Sequence, residues 1–329
     1  MKLELRSVRI KNCGPIDDLK LDFFDAAGKT LPVCVIGGVN GSGKTTILEV
    51  IAWFAESLDR SLTNDYRKAS LGSYLQSDWF FGDLRFSIYW GQLPSDVQIE
   101  DEHLGLTREP DGAYNVTATE KVGQLQFRIN LHQKEPLHTL QTSPPTLERI
   151  PSLIFLPHNR NLEPVSGREV RKEDDQYQLV YRFHSMNRFP GSLTSYLIWL
   201  DYAYPERYAE IQQFLNDLDF DGKTFRVDRK TLSVVVKTAS GHEHPLHELS
   251  SGEQNLLIIL IELRRKLTPG SIVLIDEIEN SLHPAFQHRL AQGLLALQRE
   301  VPYQLIVTTH APAFVEIFGV ENTRLLTAF

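Results

Sequence analysis

The chain has 329 residues, 42% hydrophobic and 23% charged, with a formal net charge of −8. That length supplies ample core for one large domain or two ordinary ones. The acidic balance argues against a surface that binds nucleic acid nonspecifically, because such affinity comes largely from neutralised phosphates.

Unbroken apolar runs such as Leu256–Ile261 fall far short of the ~20 residues that cross a bilayer. The first residues alternate charged and apolar side chains without the apolar stretch of a secretory leader. Cys13 and Cys34 are too few for a disulfide framework. These features together lead to the expectation of a cytoplasmic protein with no membrane partner.

In chain order, residues 2–10, 19–24 and 31–38 read as strands separated by a Cys-Gly-Pro turn and an Ala-Ala-Gly turn. Ile47, Leu48, Ile51, Phe54, Ala55 and Leu58 recur at helical spacing, so the third strand feeds a helix predicted over 44–62. Residues 83–90, 113–120 and 124–132 read as antiparallel strands, and 152–157 as a short buried strand. Residues 159–178 read as a charged loop, 190–217 as helix, and 224–238 as a hairpin. The last third alternates helix, strand 271–276, helix 284–300, strand 303–310 and helix, which predicts parallel strands with crossover helices. No heptad pattern is sustained enough for a coiled coil.

Gly38-Val39-Asn40-Gly41-Ser42-Gly43-Lys44-Thr45 fits G-x-x-x-x-G-K-[ST] and lies between a predicted strand and a predicted helix. Successive backbone N–H groups of such a loop form an anion nest at a helix N-terminus. Gly38, Gly41 and Gly43 admit its tight turns, Lys44 would reach the β- and γ-phosphates, and Thr45 would ligate Mg²⁺. Asn40, Ser42 and Thr46 complete the candidate nucleotide-binding set. Four apolar residues, Ile272–Ile275, lead into Asp276, placed to hold Mg²⁺, and Glu277, placed to act as general base on water. A strand ending in two surface acids is common in α/β proteins, and the phosphate loop upstream decides between the readings. His310 ends the following strand, where an imidazole would meet the γ-phosphate and orient water.

Leu249-Ser250-Ser251-Gly252-Glu253-Gln254 opens a very apolar helix. An exposed Ser-Ser-Gly turn at a helix start is an anion site without an anion of its own, and the same residues suit an N-cap. With the phosphate loop, Asp276-Glu277 and His310, this turn makes the chain resemble the ABC-ATPase superfamily. The resemblance is to its soluble SMC/RecF-like branch, which includes ATPases of chromosome maintenance and of bacterial phage defence. It covers the N-terminal strands, the phosphate loop and about 246–315; the middle matches by layout alone.

The resemblance implies an α/β ABC-ATPase head: a mixed or parallel P-loop sheet, an antiparallel β lobe and a small helical subdomain, without coiled-coil arms. It divides the head into N-terminal strands and phosphate loop (1–60), β lobe (61–158), helical subdomain (159–245) and signature helix, acid strand and switch histidine (246–329). It also implies ATP and Mg²⁺, and a head-to-tail homodimer in which Ser250, Ser251 and Gly252 meet the γ-phosphate held by the other subunit. A separately encoded effector, a nuclease or toxin, would then be the partner, in phage defence or DNA repair. The alternatives are an ATPase acting directly on nucleic acid and a transporter subunit.

Two departures stand out. The family carries a Gln after the strand that follows the β lobe; here His158-Asn159-Arg160 follows 152–157, leaving His158 or Asn159 as replacement. The family's S-A-L-D segment is Ser281-Leu282-His283-Pro284. Phe23 and Phe24 are the candidates for stacking on adenine.

Three other clusters suit structural readings better than functional ones. His242, Glu243, His244, His247 and Glu248 suit a solvated turn better than a zinc site. Tyr196, Trp199, Tyr202, Tyr204 and Tyr208 have the helical spacing of core or partner interface rather than of a single-strand stacking surface. Arg160, Arg168, Arg171 and Lys172 alternate with Glu163, Glu169, Glu173, Asp174 and Asp175, the pattern of a solvated loop.

Overall fold

Two six-stranded sheets organise the chain. They are seen in a computed structural model that describes residues 2–59, 73–108, 114–133, 135, 150–162, 176–183, 192–217 and 220–326. The first sheet has the order β2-β1-β4-β5-β6-β7. Its strands are β1 (Leu3–Cys13), β2 (Ile16–Asp22), β4 (Tyr74–Phe81), β5 (Leu84–Gly91), β6 (His103–Arg108) and β7 (Tyr114–Ala118). All its pairings are antiparallel except β5 with β6, which run parallel.

The second sheet is parallel throughout, in the order β15-β3-β14-β13-β8-β9. Its strands are β3 (Val33–Gly38), β8 (Leu153–Leu156), β9 (Val180–Arg182), β13 (Ile272–Ile275), β14 (Gln304–Thr309) and β15 (Thr323–Leu326). A three-stranded sheet, β10 (Thr224–Asp228), β11 (Ser233–Lys237) and β12 (Glu243–Pro245), stands apart from both.

The inner parallel strands β3, β8, β13 and β14 are largely apolar because both faces are covered, and their polar side chains, such as Gln304, Thr308 and Thr309, sit toward the strand ends. Ile272 and Leu274 of β13 point into a core shared with the first sheet and α1 (Lys44–Ser57). Val273 and Ile275 point into a second core, with α3 (Leu193–Ala203), α4 (Pro205–Asp217), α5 (Ser251–Lys266), α6 (Pro284–Glu300) and α7 (Pro312–Phe318). Gln304 joins the two sheets through its side-chain amide, which accepts from Leu5 N at 2.9 Å and donates to Leu5 O at 3.0 Å. Helix α5 is buried all round. Even Glu262 and Arg265 lie inside, with Arg265 Nη1 3.6 Å from Glu262 and its guanidinium 4.2 Å from the Tyr196 ring.

Residues 124–132, expected as a strand, belong instead to helix α2 (Glu120–His132). Leu125, Phe127, Ile129 and Leu131 alternate as a strand would. The buried set, however, is Val122, Leu125, Gln126 and Ile129, at helical spacing, and Phe127 and Leu131 face outward. Strands β4, β6, β9, β12 and β15 were not anticipated, and β1 and β2 belong to the lobe sheet rather than to the phosphate-loop sheet. The last residues predicted for the first helix, 60–62, lie outside the described residues.

Leu125→Ala should cost about 2–5 kcal/mol in urea unfolding, as for a buried leucine. Phe127→Ala should change stability by less than about 0.5 kcal/mol, since its ring is 58% exposed. Equal losses at both positions would restore the strand reading.

Candidate functional site

The phosphate loop, the acid strand and the strand after the lobe all end at one edge of the parallel sheet, where ligands of such sheets bind. Gly41 and Gly43 have φ of +80° and +83°, so the loop turns where side-chain-bearing residues are strained. A Cβ on Gly43 would also lie 2.6 Å from the Ile16 side chain, so the loop is seated on the turn between β1 and β2. Lys44 reaches back over the loop, and its Nζ donates to Gly38 O at 3.0 Å and to Val39 O at 2.9 Å. Burial lowers the pKa of its ammonium, against the opposing pull of Glu277, Asp276 and Glu279.

Asp276 is fully buried. Its Oδ2 accepts from Thr45 Oγ1 at 2.9 Å and its Oδ1 from Thr308 Oγ1 at 2.7 Å. His158 Nδ1 lies 3.3 Å from the same Oδ2. Of the two candidates for the missing Gln, His158 is therefore the one brought to the acid. Thr308 Oγ1 also accepts from Glu277 N at 2.7 Å, so one hydroxyl orients both acids. Glu277 takes φ +44°, a left-handed conformation uncommon for a residue with a side chain.

His310 is exposed, and its backbone N–H donates to Glu279 Oε1 at 2.6 Å. Glu279 Oε2 accepts from Thr309 Oγ1 at 2.7 Å, so this third acid of the segment secures the switch strand.

The signature turn is a capped helix start. Ser250 Oγ donates to Glu253 Oε2 at 2.8 Å and accepts from Glu253 N at 3.3 Å, a capping box. Glu253 also takes Lys223 Nζ at 2.5 Å. Although burial opposes ionisation there, these donors hold the Glu253 carboxyl below its usual range. Ser251 stays exposed, and a Cβ on Gly252 would lie 2.6 Å from Ser281 O. The glycine thus lets the turn press against the segment that follows Glu277. Among the described residues, no hydrogen bond joins Ser250 or Ser251 to the phosphate loop.

Other expectations are corrected. Phe23 is buried in the core and so is not available to a nucleotide base, while Phe24 is half-buried with the Arg6 guanidinium 4.7 Å from its ring. Arg160 is not in a solvated loop: it is 4% exposed and donates into the ends of β8 and β13. Arg168, Arg171, Lys172 and their acidic neighbours lie outside the described residues.

Tyr196 and Tyr208 are core residues, while Tyr202 is 77% exposed. Among the described residues no group of three His, Cys, Asp or Glu is placed to hold a metal ion, which includes the 242–248 cluster. Sequence reasoning missed Lys223, Asn255, Glu279, Asn280 and Thr308. The only local signal was the Ser250-x-x-Glu253 capping box.

The site suits a magnesium nucleotide. Ser42 Oγ is buried inside the loop with no hydrogen-bond partner among the described residues. The charges of Asp276, Glu277 and Glu279 act on the Lys44 ammonium, and the Thr45 hydroxyl beside the Asp276 carboxylate supplies the kind of hard oxygen that Mg²⁺ takes.

Thr308→Val removes one donor and one acceptor at nearly constant volume. It should destabilise the protein by about 1–3 kcal/mol in chemical denaturation, the cost of leaving buried polar groups unpaired. An unchanged midpoint would mean that the hydroxyl does not hold the two acids.

A family described as "AAA domain, putative AbiEii toxin, Type IV TA system" matches residues 33–316. A retron Ec83 probable ATPase of Escherichia coli is 36% identical over 90 residues, 24% of this chain and 16% of that protein. A retron Vc95 probable ATPase of Vibrio cholerae is 29% identical over 128 residues, 35% of this chain and 24% of that protein. The chain thus matches under a quarter of the length of either relative. Among solved structures, the SMC head bound to the C-winged helix domain of ScpA superposes with TM-score 0.54 at 13% identity. That match covers 95% of this chain and 91% of the SMC head, and it speaks for the fold alone. The chain belongs to this AAA-domain family and has the fold of an SMC head.

Proposed function

We propose that the chain is a Mg²⁺-dependent ATP hydrolase that closes head-to-tail with a second copy around two ATP molecules and passes that closure to a partner protein. The observation that carries this reading is the 2.9 Å bond between Thr45 Oγ1 and Asp276 Oδ2. It brings the hydroxyl of the phosphate loop and the acid of β13 to one point, with Glu277 next in the chain.

The loop amides and Lys44 bind and orient the phosphates. Thr45, Asp276 and His158 are the residues that would hold Mg²⁺, which when bound neutralises phosphate charge. Glu277 accepts a proton from the attacking water, and His310 orients that water at the γ-phosphate. Positioning and charge neutralisation supply most of the catalysis in this chemistry.

The second copy enters because Ser250 and Ser251 are exposed at a helix start and, among the described residues, make no hydrogen bond to the phosphate loop of their own chain. A dimer built on ATP closes to the extent that ATP binds the closed state more tightly than the open one. The retron names of the relatives and the toxin–antitoxin description of the family support a defence setting, with a separately encoded effector as partner. No described helix is long and apolar enough to cross a membrane, in keeping with a cytoplasmic assembly.

Lys44→Ala should weaken binding of a fluorescent ATP analogue by at least roughly tenfold, through loss of the phosphate contact. Glu277→Gln should bind nucleotide normally while turnover falls about 100-fold or more, as expected for loss of a general base. Sedimentation with Mg²⁺-ATP should then show that variant accumulating as dimer. Native turnover in Glu277→Gln, or monomer at every ATP concentration, would refute the mechanism or the dimer respectively.

A further inference from the structure

Arg160 belongs to none of the motifs, yet its guanidinium makes more bonds around the acids than any motif residue. Nη1 donates to the carbonyls of Leu156 at 3.1 Å, Pro157 at 2.6 Å and Asp276 at 2.7 Å. Nη2 donates to Glu277 O at 3.0 Å, and Nε to Asn255 Oδ1 at 2.6 Å. Among the described residues these acceptors are carbonyl and amide oxygens rather than a carboxylate. Burial lowers the guanidinium pKa to about 10, opposed by the charges of Asp276, Glu277 and Glu279. A buried cation held this way is costly. What it provides in return is geometry: a rigid planar fork bonded to three segments at once.

Those segments are the end of β8, the end of β13 and the first turns of α5. At β13 the fork meets the backbone of Glu277, at φ +44°. Its peptide groups are pinned on both sides, the N–H by Thr308 and the carbonyl by Arg160. At α5 the fork meets Asn255, whose Nδ2 donates to Asn280 O at 2.5 Å. Asn255 lies one turn inside the helix opened by Ser250–Gly252, and Gly252 itself abuts Ser281.

We propose that Arg160 is the positioning residue of this site, holding Glu277 in its left-handed conformation, and that Asn255 makes this hold depend on the seat of helix α5. Whatever engages the Ser250–Gly252 turn is then felt at Glu277. The inference rests on the reading of Glu277 as general base. In a head-to-tail dimer the turn and Glu277 of one chain serve different nucleotides, so this strut links the two sites through a single subunit.

Two substitutions test it. Arg160→Lys keeps the charge but replaces the fork with a single ammonium. Asn255→Leu removes both of its bonds while keeping the branched shape of the side chain. Both variants should bind a fluorescent ATP analogue with Mg²⁺ within about twofold of wild type, while kcat falls roughly 30-fold or more for Arg160→Lys and about tenfold for Asn255→Leu. The double variant should be no slower than Arg160→Lys alone, because both losses act through one contact. In a crystal structure of Arg160→Lys the Glu277 peptide should leave the left-handed region.

A folded Arg160→Lys protein with kcat within about threefold of wild type, or losses that multiply in the double variant, overturns the proposal. So does an unmoved Glu277 peptide, whatever the turnover. Should Arg160→Lys not fold, as thermal unfolding will tell, Asn255→Leu carries the same test. A wild-type chain that hydrolyses no ATP would instead defeat the general-base reading, and the crystal structure alone would then decide the role of Arg160.

Discussion

A fully buried carboxylate at the end of β13 is the constraint around which the site is arranged. Taking an acid out of water costs several kcal/mol unless hydrogen bonds replace its hydration. Asp276 meets that cost with the hydroxyls of Thr45, at the start of α1, and Thr308, on β14, while His158 approaches from beyond β8. Three elements distant in sequence must therefore end together for the acid to be tolerated at all. The polar cluster that chemistry needs is also what fixes the mutual register of these strand ends.

The parallel sheet makes that register rigid. Its strands are sandwiched between two apolar cores, so their side chains have no freedom to slide without opening a cavity on one face or the other. Only the strand ends are free to carry polar groups. That is why Gly38, Asp276 and Thr309 bring function to one edge while the interiors of the same strands are Val, Ile, Leu and Cys34. The lobe sheet is tied to this frame through Gln304 and through the seat of Gly43 on Ile16, so the phosphate loop is braced from outside its own sheet as well.

The parts legible in the sequence were those whose chemistry is local. The phosphate loop, the acid pair and the signature turn each occupy a few consecutive residues, and the physical reason for each spacing acts within that stretch. Arg160 was illegible because its neighbours in sequence are polar while its neighbours in space are strand-end carbonyls. Thr308 and Glu279 were illegible for the same reason: their roles exist only once β14 lies beside β13. The misread helix α2 is a different case. Leu125, Phe127, Ile129 and Leu131 satisfy a period of two, Val122, Leu125, Gln126 and Ile129 satisfy the helical one, and only the packing on α1 and the lobe decides between them. Phe23 shows the converse limit, since an aromatic residue suited to stacking on a base is equally suited to a core.

The segment from Asp276 to Leu282 is where these strands of argument meet. Glu277 and Ser281 both take positive φ, at +44° and +61°, so the chain doubles back twice between β13 and α6. Each such residue stores of order 1 kcal/mol or more and persists only if its surroundings enforce it. Here they do so from both sides. Thr308 and the Glu279 contacts with Thr309 and His310 grip the face toward β14, while Arg160, Asn255 and the close approach of Gly252 grip the face toward α5. A segment strained in isolation and held by two independent neighbours responds when either neighbour shifts. It cannot take up a displacement of α5 by bending gradually, because the bonds on its other face are short and directional. The candidate base is therefore mounted on a strained stretch of backbone bonded to the signature helix through Asn255 and Arg160, and that placement follows from burial, hydrogen bonding and backbone strain alone.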